Sequence, residues 1–473
     1  MRSFVERAGR AGASRDRPAS VAHFDGELTI AGLPRLGRPG KPTAQIAPQA
    51  ALSGGPLFRL DSEAMSTSGA TLDGSVFDEA SWAKGFITRI CEACPRRMAT
   101  SEDERRAHAI IRDEMAALGL TTETHAFRFN ASLYANLALH FGLGTLGSLA
   151  AGRSPALGLA LHALSAGSYA LDSSRRAFVL RRLFPFRGSQ NVLGTLPARG
   201  KPRLRIVFLA HADAAFTGFV FQPAVTRHAK PGPLYKSLRI ATGALAGLAA
   251  VDVAQLLFGR SRALSILRGA LSVPPVLAAL LNLDVVLRDH VVPGAMDDLS
   301  GVAGMLLLAR RLRAKKPDDV ELVFVATGCE EAGMGGAQAL AQDFRGRWDP
   351  KETVVVGLDG FANGELRWFT EGEIFPVPLA PWLAEVLTGV AASQPRFAEV
   401  RGFEIPVGAT DALPFATAGW PAVTLGCVDP ERGTPRHYHL PSDTPENLDA
   451  QKIPMCVDFS ERVVDALVAR PGR

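Results

Sequence analysis

Apolar and polar positions alternate with two different periods along the 473-residue chain. Over 77–95 (FDEASWAKGFITRICEACP) and 100–120 (TSEDERRAHAIIRDEMAALGL) the apolar residues recur at helical spacing. The first helix should stop by Pro95. The second should start at a Thr100 or Ser101 cap, carry acids in its first turn and close at Gly119. TTETHAFRF (121–129) and QNVLGTL (190–196) read as strands, and LRIVFLAH (204–211) as a buried strand ending at His211. Beyond residue 290 the pattern predicts helix (299–316), strand (321–327), helix (333–344) and strand (353–360). It continues with strand (364–370), helix (379–392), strand (421–428) and a final helix (455–469).

Strands alternating with helices predict an α/β fold, a three-layer α/β/α sandwich around a mixed central sheet. In such sheets ligand sites lie at the carboxyl ends of the strands. The segments 76–132, 188–213 and 290–468 are expected to form this domain. Residues 1–75, rich in Gly, Pro, Ala and Ser without sustained periodicity, are expected to be disordered or loosely packed.

Two stretches, 133–187 and 214–289, depart from the pattern. Each reads as a pair of apolar helices joined by a short turn bearing arginine. From Leu133 to Gly152 no residue is formally charged, a length close to a bilayer span. Asp252 and Asp284 interrupt the later segments, and Pro274-Pro275 should kink the last. Two readings stand: a four-helix insert packed on the protein or in a homo-oligomer interface, or a membrane-associated bundle. Arg175, Arg176, Arg181, Arg182, Lys236, Arg239 and Arg288 flank the segments on the side of the sandwich. By the positive-inside tendency that side would be cytoplasmic. Arg153, Arg260 and Arg262 in the opposite turns weaken this orientation, and a soluble cytoplasmic protein is the alternative.

Composition narrows function little. The chain is 47% hydrophobic and 21% charged with mean hydropathy +0.10, apolar for a globular protein. A net charge of +5 without a basic, aromatic-interleaved stripe gives no reason to expect a nucleic-acid partner. Five cysteines are too few for a disulfide scaffold, and the lone Cys91/Cys94 pair lacks the context of a redox or zinc motif. Cys329 has no neighbouring base that would make it a nucleophile. The first twenty residues carry charge but no apolar core after it, so no cleavable signal peptide is expected.

The candidate chemistry sits where the predicted strands end. His211 and Asp213 follow one strand, and Asp297 and Asp298 precede a helix. Glu330 and Glu331 follow FVATGC, Asp359 follows TVVVGL, and His437, His439 and Asp443 fall in RHYHLPSDT. Taken singly, a Glu pair at a loop start is surface charge, and Asp298 or Ser300 is a helix cap. Taken together, imidazoles and carboxylates from separate elements suit zinc or a similar transition metal.

This set resembles the zinc aminopeptidase family, peptidase family M28. The order is His-x-Asp, PGAxDDxxSG, Glu-Glu, Leu-Asp, then a late His followed four residues on by Asp-Thr, with GATDALPFATAGWPAV between. The resemblance implies two zinc ions, with cobalt or manganese as substitutes. His211, Asp297, Glu331, Asp359 and His439 would be their ligands, Asp297 bridging. Glu330 would be the general base, and Asp213 the carboxylate holding the His211 imidazole. Asp443 would orient His439, and Tyr438 is a candidate donor near the oxyanion. His140, His162, His228 and His290 stay outside the metal set.

The family's SDHxPF reads TDALPF here, with Ala412 in place of the usual histidine, which bears on pocket shape. The implied activity is removal of N-terminal residues from peptides. Alternatives are hydrolysis of another small amide (an N-acyl amino acid or a C-terminal residue), glutaminyl cyclisation, and a non-catalytic membrane scaffold. The second insertion, directly after Asp213, would roof the site.

Overall fold

The computed structural model describes residues 77–226, 236–370, 372–406 and 408–470. The extension at 1–75 and His228 lie outside them. Helices α1 (Glu79–Ala93) and α2 (Glu102–Ala117) open the described chain, followed by strand β1 (Thr121–Phe129). Ser101 caps α2 by accepting the Glu104 amide at 3.0 Å, worth about 1 kcal/mol. Then come α3 (Leu133–Ala151), α4 (Pro155–Ser173), β2 (Arg187–Leu196), β3 (Leu204–His211) and the short α5 (Pro223–Thr226). Next are α6 (Ser237–Phe258), α7 (Arg262–Arg288), α8 (Leu299–Leu312), β4 (Val320–Thr327), α9 (Gly335–Asp343) and β5 (Thr353–Leu358). The chain ends with β6 (Glu365–Thr370), α10 (Pro381–Ala392), β7 (Arg401–Glu404), α11 (Ala412–Thr417), β8 (Ala422–Val428) and α12 (Lys452–Ala469).

The eight strands form one mixed sheet in the order β1-β2-β4-β3-β5-β8-β6-β7. β4, β3, β5 and β8 run parallel at its centre, and β1–β2, β2–β4 and β6–β8 pair antiparallel. Alternation along β3 makes the layers. Ile206, Phe208 and Ala210 join the core under α1, α2, α8, α10 and α12, while Val207 and Leu209 join the core under α9 and α11. This is the three-layer sandwich expected from the strand–helix alternation. The four-residue edge strand β7 and the six-residue α11, which contains Pro414, were too short to show a period in the sequence.

The two apolar stretches fold as helical hairpins, α3–α4 and α6–α7, which pack together through Leu137, Phe141, Tyr169, Leu245 and Leu248. Helix α7 runs unbroken through Pro274 and Pro275. Their burial is inverted relative to the sandwich. Large apolar residues point outward: Leu149 is 67% exposed, Leu257 70%, Phe258 83% and Leu287 75%. Polar residues lie inside. His162 Nδ1 lies 2.7 Å from Asp252 Oδ2, and its Nε2 lies 3.1 Å from Ser148 Oγ. His140 Nε2 lies 2.8 Å from Ser168 Oγ. Ser148 lies inside α3, so the backbone amides around it are taken up by the helix and do not form an oxyanion hole. The serine–histidine–aspartate group acts as a polar lock.

Among the described residues, α6 and α7 are long and apolar enough to cross a membrane. The uncharged Leu133–Gly152 run is not in that group, its hydropathy diluted by Asn136, His140, Thr145, Ser148 and four glycines. Two of the cations that flank the apolar segments are buried in the fold. Arg181 is fully buried against Asp172 at 2.8 and 3.0 Å, and Arg175 is buried 3.4 Å from Glu373.

Candidate metal centre

Three parallel strands deliver the site. His211 is the last residue of β3, Asp359 directly follows β5, and Glu330 and Glu331 stand just beyond β4. Since β3 pairs with both β4 and β5, these side chains meet at one sheet edge. Asp297 comes from the loop before α8, and its peptide bond to Asp298 is cis. His439 arrives from the loop between β8 and α12. The ligand atoms form three groups within 4.8 Å: His211–Asp297–Asp359, Asp297–Glu331–His439, and His211–Glu330–Glu331. Asp297 belongs to the first two. Its Oδ1 lies 3.0 Å from His211 Nε2, and its Oδ2 3.3 Å from His439 Nε2. The structure thus brings together all five expected ligands and the expected base.

The turn carrying the two glutamates is held from several sides. Asp213 accepts the Glu330 amide on Oδ1 at 3.0 Å and the Glu331 amide on Oδ2 at 3.1 Å. Its carboxylate lies farther from the His211 imidazole, at 3.6 Å, and His211 Nδ1 is instead 3.0 Å from the Asp213 carbonyl. So Asp213 fixes the imidazole mostly through its backbone and the glutamate turn through its side chain. The turn closes with the Gly333 and Met334 amides donating to the Glu330 carbonyl, both at 2.7 Å. Gly333 has φ +111°, which a side chain would resist, and a Cβ at Gly336 would fall 2.2 Å from Asn191 Oδ1.

Residues from the first insertion also grip this turn. Arg181 donates to the Ala332 carbonyl at 2.8 Å, and Arg175 to the Gly333 carbonyl at 3.0 Å. Fully buried Arg97 ties the end of β3 to the loop before Asp297, donating to the Ala212 carbonyl at 3.0 Å and the Gly294 carbonyl at 2.7 Å. Asp298 caps α8 through the Gly301 amide at 3.0 Å, and also accepts the His211 and Gly360 amides at 3.0 and 2.9 Å. It is more than a cap: it pins three site loops.

His439 is oriented differently from the sequence expectation. Its Nδ1 lies 3.1 Å from the Tyr134 hydroxyl, at the start of α3. Asp443, four residues on, accepts the Met296 amide at 2.7 Å and the Asp297 amide at 3.2 Å, so it positions Asp297. Neighbours in sequence diverge here because the loop turns at Leu440, whose amide bonds the His437 carbonyl at 3.0 Å. Tyr438 stacks on the His439 ring at 3.9 Å, and Phe221 lies against it at 4.5 Å. Tyr134, Arg97 and Asp411 were not singled out in the sequence. Asp411 does stand in the TDALPF motif, and the Thr327 hydroxyl donates to it.

The electrostatics suit a cation. Burial and the neighbouring carboxylates Asp411, Glu331 and Asp359 push the Glu330 carboxyl well above its ordinary range, although His211 opposes them. Burial, with Asp297, lifts Asp359 to about 8. Burial disfavours a charged His439, but Glu331 and Asp297 outweigh it and raise the imidazole to about 10. Asp297 is the exception: burial works against its charge, yet bonds from both histidines hold its carboxyl below the usual range. Buried Glu331 Oε1 has no hydrogen-bond partner, though it lies 3.4 Å from His439 Nε2. An orphaned buried carboxylate oxygen among imidazoles and surplus acids fits a divalent metal. His140 and His162 lie in the helical bundle, apart from this cluster.

Two cavities meet at the cluster. One of about 80 Å³ is lined by His211, Asp297, Asp359, Thr410 and Tyr438. The other, about 400 Å³, is lined by residues of both insertions. Glu330, Glu331, Tyr438 and His439 border both. The first insertion therefore reaches the site as well as the second, which alone was expected to roof it.

Known proteins are similar to parts of this chain. The chain is 28% identical over 176 residues to Aminopeptidase YwaD of Bacillus subtilis (strain 168), covering 35% of this chain and 36% of that protein. It is 41% identical over 73 residues to a "Probable zinc metalloprotease" of Pyrenophora tritici-repentis (strain Pt-1C-BFP), covering 15% and 16%. The chain thus spans about a third or less of the length of these relatives. The fold is similar to the crystal structure of BSAP, a zinc aminopeptidase from Bacillus subtilis, with a TM-score of 0.50 at 16% identity, over 81% of this chain and 94% of that one. The profile of peptidase family M28 matches residues 283–464, which hold every site residue named above from Asp297 onward. Over residues 283–464 the chain is similar to peptidase family M28.

Proposed function

We propose that the chain is a metal-dependent exopeptidase that removes N-terminal residues from peptides. The observation that carries the reading is Asp297, shared by two ligand groups beside a half-buried Glu330. His211, Asp297 and Asp359 would hold one zinc ion, and Asp297, Glu331 and His439 the other; cobalt or manganese would suit the same donors. Bound zinc would acidify a water molecule and stabilise negative charge developing on the substrate oxygen. Glu330, with its raised proton affinity, takes the proton from the attacking water and hands it to the departing amine. Asp213 keeps Glu330 and Glu331 in fixed relation through their amides. Tyr438, which borders both cavities, would donate to the substrate carbonyl oxygen.

The same reading places α3, α4, α6 and α7 in a membrane. Support comes from the two span-length helices and from the outward apolar, inward polar arrangement of the bundle. A panel of aminoacyl, N-acyl and C-terminally blocked amides, run with added zinc on detergent-solubilised protein, tests the reaction. Turnover of the aminoacyl amides is expected; turnover of only the other classes overturns the aminopeptidase assignment. Carbonate extraction should leave the protein with the membranes.

A further inference from the structure

The cavity of about 400 Å³ is far larger than the site beside it, and falls in the range of about 300–1,000 Å³ that encloses a drug-sized ligand. Its walls come chiefly from the insertions: Leu133 and Leu137 of α3, Phe221, Ile240 of α6, and Leu277 and Leu281 of α7. Among the described lining residues the only acid beyond Glu330 and Glu331 is Glu373, which Arg175 and Tyr169 hold at 3.4 and 3.3 Å. The walls therefore offer a substrate an apolar surface, ending at the glutamate pair.

Two wall residues look both ways. Ile240 is 52% exposed and Leu277 is 53% exposed, yet both line the cavity. They stand on adjacent helices among outward apolar residues such as Leu280 and Leu283. The rim thus joins the outer apolar face of the bundle to the chamber. A polar peptide arriving from water gains nothing from such a path, whereas a hydrocarbon chain stays in apolar surroundings throughout.

We infer that this chamber receives a hydrocarbon chain carried by the substrate amide, longer than a common amino-acid side chain and admitted past Ile240 and Leu277. The inference rests on the hydrolase reading and names its substrate class: amphiphilic amides. The reaction balances as simple hydrolysis: the C–N bond breaks, water's oxygen bonds to the carbonyl carbon, and the amine leaves with the proton. The chain can sit on an α-amino acid or on a plain acyl group, and both present the same chemistry to the walls.

The test uses the full, zinc-loaded chain in lipid nanodiscs. One substrate arm is 2-aminoalkanoyl amides with side chains from methyl to decyl. The other is N-acyl amides with the same range of acyl lengths. The expected result is kcat/KM rising about fourfold per added methylene, well past butyl, in the arm that carries the natural chemistry. A flat or falling profile beyond butyl in both arms, with hydrolysis intact, overturns the chamber and spares the hydrolase. Wild-type rates no better than Glu330→Gln in both arms overturn the hydrolase reading.

Binding then decides the chamber independently. A photoreactive decyl amide should cross-link to the peptides holding Leu133–Leu137 and Leu277–Leu281. Untagged decyl amide should compete, and Ala278→Trp, which fills the cavity, should abolish the labelling. Labelling that ignores the competitor, or that falls only on the outer helix faces, overturns the proposal.

Discussion

The Tyr134 hydroxyl lies 3.1 Å from His439 Nδ1, so a helix of the first apolar insertion reaches into the ligand cluster. The partner of a ligating imidazole fixes its tautomer and aim. Tyr134→Phe should therefore weaken metal binding by roughly 10- to 100-fold. Metal titration in a competing chelator measures this, and saturating zinc should restore most of the activity. Loss that excess zinc leaves unchanged would place Tyr134 in substrate contact instead.

Glu330 and Glu331 should separate cleanly on substitution. Glu330→Gln is expected to lower kcat by about 10²- to 10⁴-fold with bound zinc unchanged. Glu331→Gln should lower the zinc content itself. Elemental analysis beside single-turnover rates distinguishes the two, and equal zinc loss in both variants would contradict the division of labour.

The metal-free site should be proton-loaded and sensitive to alkali. His439 is raised to about 10, so its contribution to stability is complete below about 6.5, its unfolded value, and is lost as pH rises through about 10. Asp359 is raised to about 8, so it stays protonated when folded while the unfolded group ionises. That also lowers stability as pH rises, from about 4 up to about 8. The unfolding midpoint of the metal-free protein should fall across this range. Zinc, which must displace these protons, should bind more weakly as pH falls. Calorimetry in two buffers of different ionisation enthalpy should register proton release.

Arg181 is fully buried between Asp172 and the Ala332 carbonyl. Arg181→Ala leaves the Asp172 charge buried without its partner, a loss of about 3–5 kcal/mol. Pulse proteolysis should show it, with cleavage appearing near the Gly333 turn. The double variant Arg181→Met, Asp172→Leu should recover part of the stability, since it removes both charges.

The strands that carry His211, Glu330 and Asp359 could be read from the sequence because buried parallel strands are short runs of apolar residues with polar residues at their ends. The site followed, since the fold gathers those ends. Tyr134 could not be read: it is one aromatic at the head of an uncharged run, and only the packing of α3 brings it to His439. Asp443 was misread for the opposite reason. Proximity in sequence suggested the imidazole, but the loop aims the carboxylate at the Met296 and Asp297 amides. The roles of Arg97 and Arg181 could not be read either, because sequence does not show which arginines find buried carbonyls.

The helices of the bundle come in hairpins, α3 with α4 and α6 with α7. A hairpin returns the chain to the end where it set out. Each interruption therefore hands the polypeptide back to the sheet: β1 precedes the first, β2 and β3 separate the two, and β4 follows the second. Helix number is thus a matter of parity. Deleting one helix of either pair would strand the next strand at the wrong end of the bundle, with β2 unable to reach β1 or β4 unable to reach β3. The insertions can be lost or exchanged only two helices at a time.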